Sequence, residues 1–136
     1  MNRKQRQVLG LSLALFALGS ILLAACGSTP TGNGGGSENC GNGTVHTLST
    51  TFQESCVNVA KGSNLQVVPV AQSLHILVNG SWVNGNQVPM QEAGAPTVNN
   101  VQVTGGTISI GPFTTAGTYH IFCSVHLNMN LTVIVK

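Results

Sequence analysis

Short apolar runs separated by turn residues make up the chain from Thr44 onward. The runs are rich in β-branched residues and are bounded by pairs such as Asn79-Gly80 and Ala116-Gly117, and none keeps a helical repeat over a useful length. Seven to eight short strands with closely spaced turns predict an all-β sandwich, with residues 87–97 as its one long irregular connection. The predicted strands are Val45–Leu48, Cys56–Ala60, Leu65–Val70, Leu74–Val78, Val98–Val103, Thr107–Ile110, Thr118–Ser124 and Asn130–Val135.

The first 25 residues have the layout of an export signal. Arg3, Lys4 and Arg6 precede Val8–Ala25, an apolar run without charge. The run leads into Leu23-Ala24-Ala25-Cys26, which resembles the bacterial lipobox and implies that Cys26 carries a lipid after cleavage. An uncleaved single-span anchor is the alternative, because the run is at the short end of what crosses a bilayer. Both interpretations place the rest of the chain outside the cytoplasm and at a membrane.

Glycine, serine, threonine and asparagine dominate residues 26–43, which contain almost nothing that could enter a core. Such a composition favours a flexible tether between the membrane and a domain. The chain is therefore predicted to consist of a signal at 1–25, a tether at 26–43 and one folded domain at 44–136. The last segment is long enough for a single hydrophobic core.

The small number of charged side chains excludes several functional classes. Three of the five basic residues lie within 1–25, which leaves Lys61 and Lys136 beside three glutamates, Glu38, Glu54 and Glu92. No basic patch for nucleic acid remains. The chain has no aspartate, so a Ser-His-Asp relay cannot form, and isolated glutamates are a poor basis for paired-carboxylate hydrolysis. The sequence therefore argues against an acid–base enzyme.

The four cysteines can be assigned by elimination in an exported chain, where disulfides are stable. Cys26 is assigned to the lipid. Cys40 and Cys56 flank a short stretch at the start of the domain, and we predict a disulfide between them, with two unrelated thiols as the alternative. Cys123 is then left unpaired, and metal ligation would account for it.

A thiol, an imidazole and a thioether lie close together near the C-terminus. Cys123, His126 and Met129 follow a Cys-x2-His-x2-Met spacing on a loop that joins the last two predicted strands. Copper that cycles between Cu(I) and Cu(II) suits soft sulfur together with imidazole nitrogen, as in a His2Cys set with a weak axial Met. The loop supplies three of these four donors, so the second histidine must come from elsewhere in the chain.

The loop and its flanking strands resemble the cupredoxin family, with the loop spacing of its amicyanin-like members. Tyr119–Cys123 matches the penultimate strand and Asn130–Val135 the final strand. In these families the other histidine lies upstream, near the start of a middle strand, where Ser73–Asn79 fits. The resemblance implies a Greek-key β-sandwich that binds one type 1 copper ion through His75, Cys123, His126 and Met129. The segment after His126 lacks the proline often found there, which should affect loop stiffness rather than ligation.

Each donor has an alternative interpretation. His75 alone could be a satisfied core histidine and Met129 could be core filler, while Met90 could compete for the axial place. Met129 is favoured because it shares the loop with the cysteine and the histidine. By strand alternation His120 faces outward as a surface histidine, and His46 is expected to be structural or solvated.

Zinc is the main competing metal, but methionine is a poor zinc ligand and structural zinc sites ordinarily contain more thiolates. A redox-active Cys123 would need a resolving cysteine or electropositive surroundings, and neither is visible. Copper is therefore the metal that the donor types favour.

A site made wholly of protein donors predicts a one-electron carrier and no enzyme. Its expected partners are membrane-associated redox proteins, and the domain is expected to be a monomer. The resemblance implies that His126 reaches the surface within an apolar patch that includes Leu127. Two alternatives use the same fold: a copper storage or delivery protein with the same ligands, and a module that has lost copper and only binds a partner.

Overall fold

The computed structural model describes Cys40–Lys136. The predicted signal at 1–25, the predicted lipidation site Cys26 and most of the predicted tether lie outside the described residues, so these assignments stay predictions. Between Cys40 and Lys136 the chain forms strands and turns without a helix, and therefore without a helix long enough to cross a membrane.

Ten strands form two sheets: β1 (Gly41–Asn42), β2 (Thr44–Thr47), β3 (Cys56–Val59), β4 (Leu65–Pro69), β5 (His75–Val83), β6 (Asn86–Pro89), β7 (Val101–Val103), β8 (Ile108–Ile110), β9 (Gly117–Cys123) and β10 (Asn130–Val135). The larger sheet has the order β1-β3-β10-β9-β5-β6, with β7 paired to β5, and the smaller has the order β2-β4-β8. β10 is parallel to β3 and antiparallel to β9. The predicted all-β Greek-key sandwich is confirmed, and eight of its strands correspond to predicted runs.

Alternation of side chains along the strands builds one core between the sheets. In β10, Leu131, Val133 and Val135 are buried while the residues between them are more exposed, as a period of two requires. The smaller sheet contributes Val45 and Val67, which are fully buried. These residues belong to a single cluster, whose removal from water is the main term that stabilises the fold.

Cys40 and Cys56 form the predicted disulfide, with their Cα atoms 4.6 Å apart. β1 follows directly and pairs in parallel with β3, with Gly41 opposite Val57. Residues 40–42, which the sequence assigns to the predicted tether, are therefore joined to the sheet. A two-residue strand in a glycine-rich stretch is too short to show an alternating pattern of apolar residues. The disulfide and the pairing with β3 hold it in place instead.

The largest difference from the predicted strands lies in β5 and β6. The sequence predicts a turn at Asn79-Gly80, but β5 continues to Val83 and pairs with β6, which the sequence assigns partly to an irregular connection. The turn lies at Asn84-Gly85, where both residues have positive φ, as a type I′ hairpin requires. Gly80 has a φ of 116°, and a Cβ there would overlap the backbone of residues 88–90. This glycine therefore bends the strand instead of ending it.

Candidate metal centre

Strand pairing brings a histidine and a cysteine that are distant in sequence to the same end of the larger sheet. β5 begins at His75, β9 ends at Cys123, and the two strands are antiparallel with Leu77 opposite Cys123. His75 therefore lies two residues beyond the last β9 pair, next to the loop that follows. Both His75 and Cys123 are completely buried. The fold thus fixes two of the predicted ligands independently of the loop.

The loop between β9 and β10 carries His126 and Met129 and is closed by its own backbone. The Cys123 N–H donates to the Met129 carbonyl over 3.0 Å, and the Met129 N–H donates to the His126 carbonyl over 3.3 Å. Asn128 has a φ of 57°, a conformation that asparagine adopts more readily than most residues. Met129 is buried in the core and His126 is half-buried. The turn therefore folds Met129 back beside Cys123.

His75, Cys123 and His126 each direct one donor atom toward a common centre. Cys123 Sγ lies 3.8 Å from His75 Nδ1 and 3.4 Å from His126 Nδ1, and the two Nδ1 atoms are 3.1 Å apart. Metal bonds of about 2.0–2.1 Å to imidazole and about 2.3 Å to thiolate separate trigonal donors by about 3.5–3.8 Å. The three atoms are thus within about half an ångström of the spacing that one bound ion requires.

Burial keeps the His75 imidazole in the state that can bind a metal. Burial lowers the pKa of His75 below 6.5, the neighbouring His126 ring lowers it further, and a backbone interaction with Leu48 opposes them. The ring is therefore neutral at neutral pH, and its Nδ1 lone pair is free for a metal when the proton is on Nε2. His75 Nε2 is buried and has no partner with good hydrogen-bond geometry.

The donor set distinguishes between metals. Two imidazoles and a thiolate, with a buried thioether on the same loop, match the trigonal His2Cys sites with a weak axial Met that bind type 1 copper. Structural zinc is four-coordinate with thiolate, imidazole or carboxylate ligands. The described group that could hold an ion consists of His75, Cys123 and His126 and contains no carboxylate. The residues therefore fit copper better than zinc.

Hydrogen bonds from neighbouring strands hold the backbone where the ligand loop begins. The Trp82 indole N–H donates to the Cys123 carbonyl over 2.8 Å, and the Gln87 amide donates to the Ser124 carbonyl over 2.9 Å. The Ser124 N–H donates to the Ile76 carbonyl over 2.8 Å. Sequence reasoning assigns no role to Trp82 or Gln87, and the one available signal is that Trp82 is the only tryptophan in the chain.

The other two histidines lie outside this group, and each pairs with a glutamate. His46 Nδ1 is 2.8 Å from a carboxylate oxygen of Glu54, and His120 Nδ1 is 2.6 Å from a carboxylate oxygen of Glu92. The His120 side chain is 41% exposed, in agreement with its predicted surface position. Met90, the alternative axial ligand, follows β6 and is 57% exposed. The two histidine–glutamate pairs therefore hold loops to strands, and Met90 faces solvent.

Comparison with solved structures gives several matches at low sequence identity. A copper-containing nitrite reductase from Thermus scotoductus matches 68% of this chain at 18% identity with a TM-score of 0.50, and this chain spans 22% of that protein. Amicyanin from Paracoccus versutus matches at 18% identity over 72% of this chain and 82% of its own, with a TM-score of 0.49. Plastocyanin from Dryopteris crassirhizoma matches at 20% identity over 68% of this chain and 99% of its own, also with a TM-score of 0.49. No protein-family model and no curated protein matches the chain.

The likeness to the nitrite reductase concerns the fold, since only 18% of the aligned residues are identical. The site rests instead on this chain's own side chains, which lie in the strands and loop where the sequence resembles cupredoxins. The chain therefore has the cupredoxin fold, and within that fold it carries a His-Cys-His group that fits a type 1 copper site.

Proposed function

We propose that this protein is a one-electron carrier that binds a single type 1 copper ion and works outside the cytoplasmic membrane. One observation carries the proposal: donor atoms of His75, Cys123 and His126 all lie within 4.8 Å of one another, and the buried Met129 shares their loop. Copper bound there would supply a Cu(II)/Cu(I) couple. In the proposed set, protein side chains supply all four donors and leave no position for a substrate, which supports a carrier rather than an enzyme.

The surrounding structure restrains three of the four proposed donors, His75, Cys123 and Met129. His75 and Cys123 are held by strand pairing and complete burial, and the Cys123 and Met129 backbones are hydrogen-bonded to each other. A site with fixed donors needs little rearrangement when an electron arrives or leaves, because its polar groups are already oriented. Such rigidity favours fast electron exchange.

The apolar surface beside His126 supports docking of a redox partner at this end of the molecule. Val125 and Leu127, which flank His126, are 47% and 66% exposed, and Leu74, which precedes His75, is 46% exposed. Exposed apolar residues grouped in this way commonly mark interaction sites. Electrons would pass through the half-buried His126 ring to a partner covering these residues, and membrane-associated redox proteins are the partners we propose.

Docking through this surface can be measured without a known partner, as self-exchange between the oxidised and reduced protein. Leu127→Glu should slow self-exchange at least tenfold, because two copies would then meet through like charges. Val88→Glu is the matched control, since Val88 is 44% exposed but lies on β6. Equal rates for both variants would argue against the surface beside His126.

Copper binding is tested by adding Cu(II) to the full-length protein, purified in mild detergent, and recording visible and electron paramagnetic resonance spectra. We expect an intense thiolate-to-copper band and a type 1 signal, both absent in Cys123→Ser. A colourless protein that prefers zinc would contradict the proposal.

The same preparation separates a carrier from a storage or delivery protein. A carrier should cycle repeatedly between Cu(II) and Cu(I) at an electrode with no loss of metal to a chelator. Release of copper on each reduction would favour storage or delivery, with the same ligands.

The location is tested at Cys26. Mass spectrometry of the mature protein should find a diacylglyceryl group on this residue, and Cys26→Ser should move the protein out of the membrane fraction. A mature N-terminus upstream of Cys26 would support the single-span anchor instead.

A further inference from the structure

The bend in β5 brings a tryptophan to the ligand strand from outside the core. β5 and β9 pair from Leu77–Cys123 to Asn79–Ile121, and the same register continued would place Trp82 opposite Thr118. The strand instead bends at Gly80 and pairs with β6. Trp82 then reaches the other end of β9, where its indole N–H meets the Cys123 carbonyl at 2.8 Å. The hairpin of β5 and β6 therefore folds over the strand that ends in the cysteine ligand.

Three further contacts hold Trp82 in this position. Its backbone N–H donates to the Asn130 side-chain oxygen over 2.7 Å, and the Asn130 amide donates back to its carbonyl over 3.1 Å. Its ring packs edge-on against Phe122, with centroids 6.1 Å apart. Phe122 is completely buried but lies outside the main core cluster, on the opposite face of β9 from Cys123. Trp82 is thus fixed through its backbone, its ring and its N–H.

We propose that Trp82 is a positioning residue of the metal centre, which holds the Cys123 backbone so that the thiolate keeps its direction. The Cys123 N–H is bound to the Met129 carbonyl and the Cys123 carbonyl is bound to the indole, so the peptide units on both sides of the Cys123 Cα are restrained. Cys123 ends the strand, and the residues after it include the exposed Val125 and Leu127. The indole bond therefore lies between a rigid strand and an exposed loop. The role rests on the proposed function, since it matters only if copper binds.

The effect of the indole should appear in copper retention and in the spectrum. Partners that orient metal ligands typically contribute 10–100-fold to metal affinity. Trp82→Phe removes the N–H but keeps an aromatic ring against Phe122. We expect this variant of the full-length protein to lose Cu(II) to excess chelator at least tenfold faster than the wild type. Its thiolate absorption band should also be shifted or broadened, because the cysteine can then adopt more than one orientation.

Asn86→Ala is the matched control. Asn86 lies on the same hairpin, but its side-chain amide donates to the Asn84 carbonyl within the turn and not to the strand or loop that carries the ligands. This variant should retain copper and the spectrum of the wild type. Asn130→Ala, which leaves the indole in place but frees the Trp82 backbone, should give a smaller change in the same direction as Trp82→Phe. If Trp82→Phe fails to fold, copper release and the spectrum of Asn130→Ala decide whether Trp82 positions Cys123, and values equal to those of the wild type would overturn that role.

The outcomes separate the two proposals. Wild-type protein that binds no Cu(II) would refute the proposed function. Wild-type protein that binds Cu(II), together with a Trp82→Phe variant that has unchanged release and spectrum but a lower melting temperature, would show that Trp82 only packs. Equal acceleration in Asn86→Ala would assign the effect to the hairpin as a whole and overturn the role of the indole.

Discussion

The stability of the metal-free domain should fall in acid because the contact between Glu54 and His46 is then lost. The Glu54 carboxylate accepts the His46 backbone N–H over 2.7 Å and lies 2.8 Å from His46 Nδ1, and the Glu54 side chain is only 15% exposed. Burial alone would raise the pKa of Glu54, but the hydrogen bonds and charge interaction with His46 outweigh it and the pKa lies below 4.5. The contact closes the loop between β2 and β3, whose residue Leu48 interacts with His75.

The direction of the pH effect follows from the lowered pKa. The unfolded chain takes up a proton on Glu54 at a higher pH than the folded chain does, so acid favours unfolding. The contribution of Glu54 is fully present above its unfolded pKa of about 4.5 and is lost as the pH falls through the folded pKa. Glu54→Gln removes this dependence, because the amide does not titrate.

The loss of stability in Glu54→Gln follows from the hydrogen bonds that Glu54 makes with His46. Hydrogen bonds to charged groups contribute about 1.5–3 kcal/mol and neutral ones about 0.5–1.5 kcal/mol, and the glutamine can still accept one bond. The His46 side chain is 34% exposed, so its charge interaction is screened. Glu54→Gln should therefore cost about 1 kcal/mol at pH 7, which lowers the melting temperature of a domain of this size by about 4–8 °C.

The assay is urea unfolding of the metal-free wild type and Glu54→Gln between pH 7 and pH 3. His75 also has a lowered pKa, but it is present in both proteins and cancels in the difference. The difference should be largest at pH 7 and approach zero at pH 3. Glu92→Gln is the comparison variant and should cost less at pH 7, because its bond from the His120 backbone N–H is long, at 3.3 Å, and its 2.6 Å contact with the His120 ring is screened by solvent, since that side chain is 41% exposed. A Glu54→Gln difference that is constant with pH would refute this reasoning.

Three further predictions concern the ligands, the disulfide and the bend in β5. His126→Gly should regain a copper spectrum when imidazole is added and His75→Gly should not, since His126 is half-buried and His75 is completely enclosed; equal recovery in spectral titrations would contradict this. Replacing both Cys40 and Cys56 by serine should lower the free energy of unfolding in urea by about 3 kcal/mol, because the unfolded chain gains the entropy of a 16-residue separation; an unchanged midpoint would show that the pairing with β3 suffices. Gly80→Ala should cost about 2–4 kcal/mol, because a Cβ would overlap the backbone of residues 88–90 at a positive φ, whereas Gly43→Ala, with open space around it, should cost about 1–2 kcal/mol; calorimetry that ranks the two the other way would exclude this account of the bend.

The strands that the sequence predicts are those with a buried, alternating face. The runs corresponding to β9 and β10 are found within one residue of their predicted ends, since each places apolar residues on the core side. β6 is missed because all four of its residues are exposed and one is proline, so its pairing with β5 leaves no apolar pattern. β1 is missed for a related reason, since it is two residues long and is held by a disulfide.

The candidate site also has a part that the sequence predicts and a part that it does not. Donor chemistry and loop spacing predict Cys123 and His126, whereas His75 is predicted from the resemblance of Ser73–Asn79 to the strand that carries the upstream histidine in cupredoxins. The contact between Trp82 and Cys123 cannot be predicted, because it depends on a bend at Gly80 that reads in the sequence as a turn. The pairs of His46 with Glu54 and His120 with Glu92 join residues 8 and 28 apart, and no periodicity connects them.

The ligands come from two kinds of structure, and this division determines how the site can respond to its metal. His75 and Cys123 belong to paired strands and are completely buried, so a shift in either would disturb the ladder between β5 and β9. His126 lies on a loop whose neighbouring side chains are exposed, and it depends on one turn with a positive φ at Asn128. Any adjustment to a change in the charge or size of the ion therefore falls on His126, the ligand nearest the proposed docking surface. A partner that covers Val125 and Leu127 would restrain that same loop, so the proposed docking would be coupled through His126 to the geometry of the metal centre.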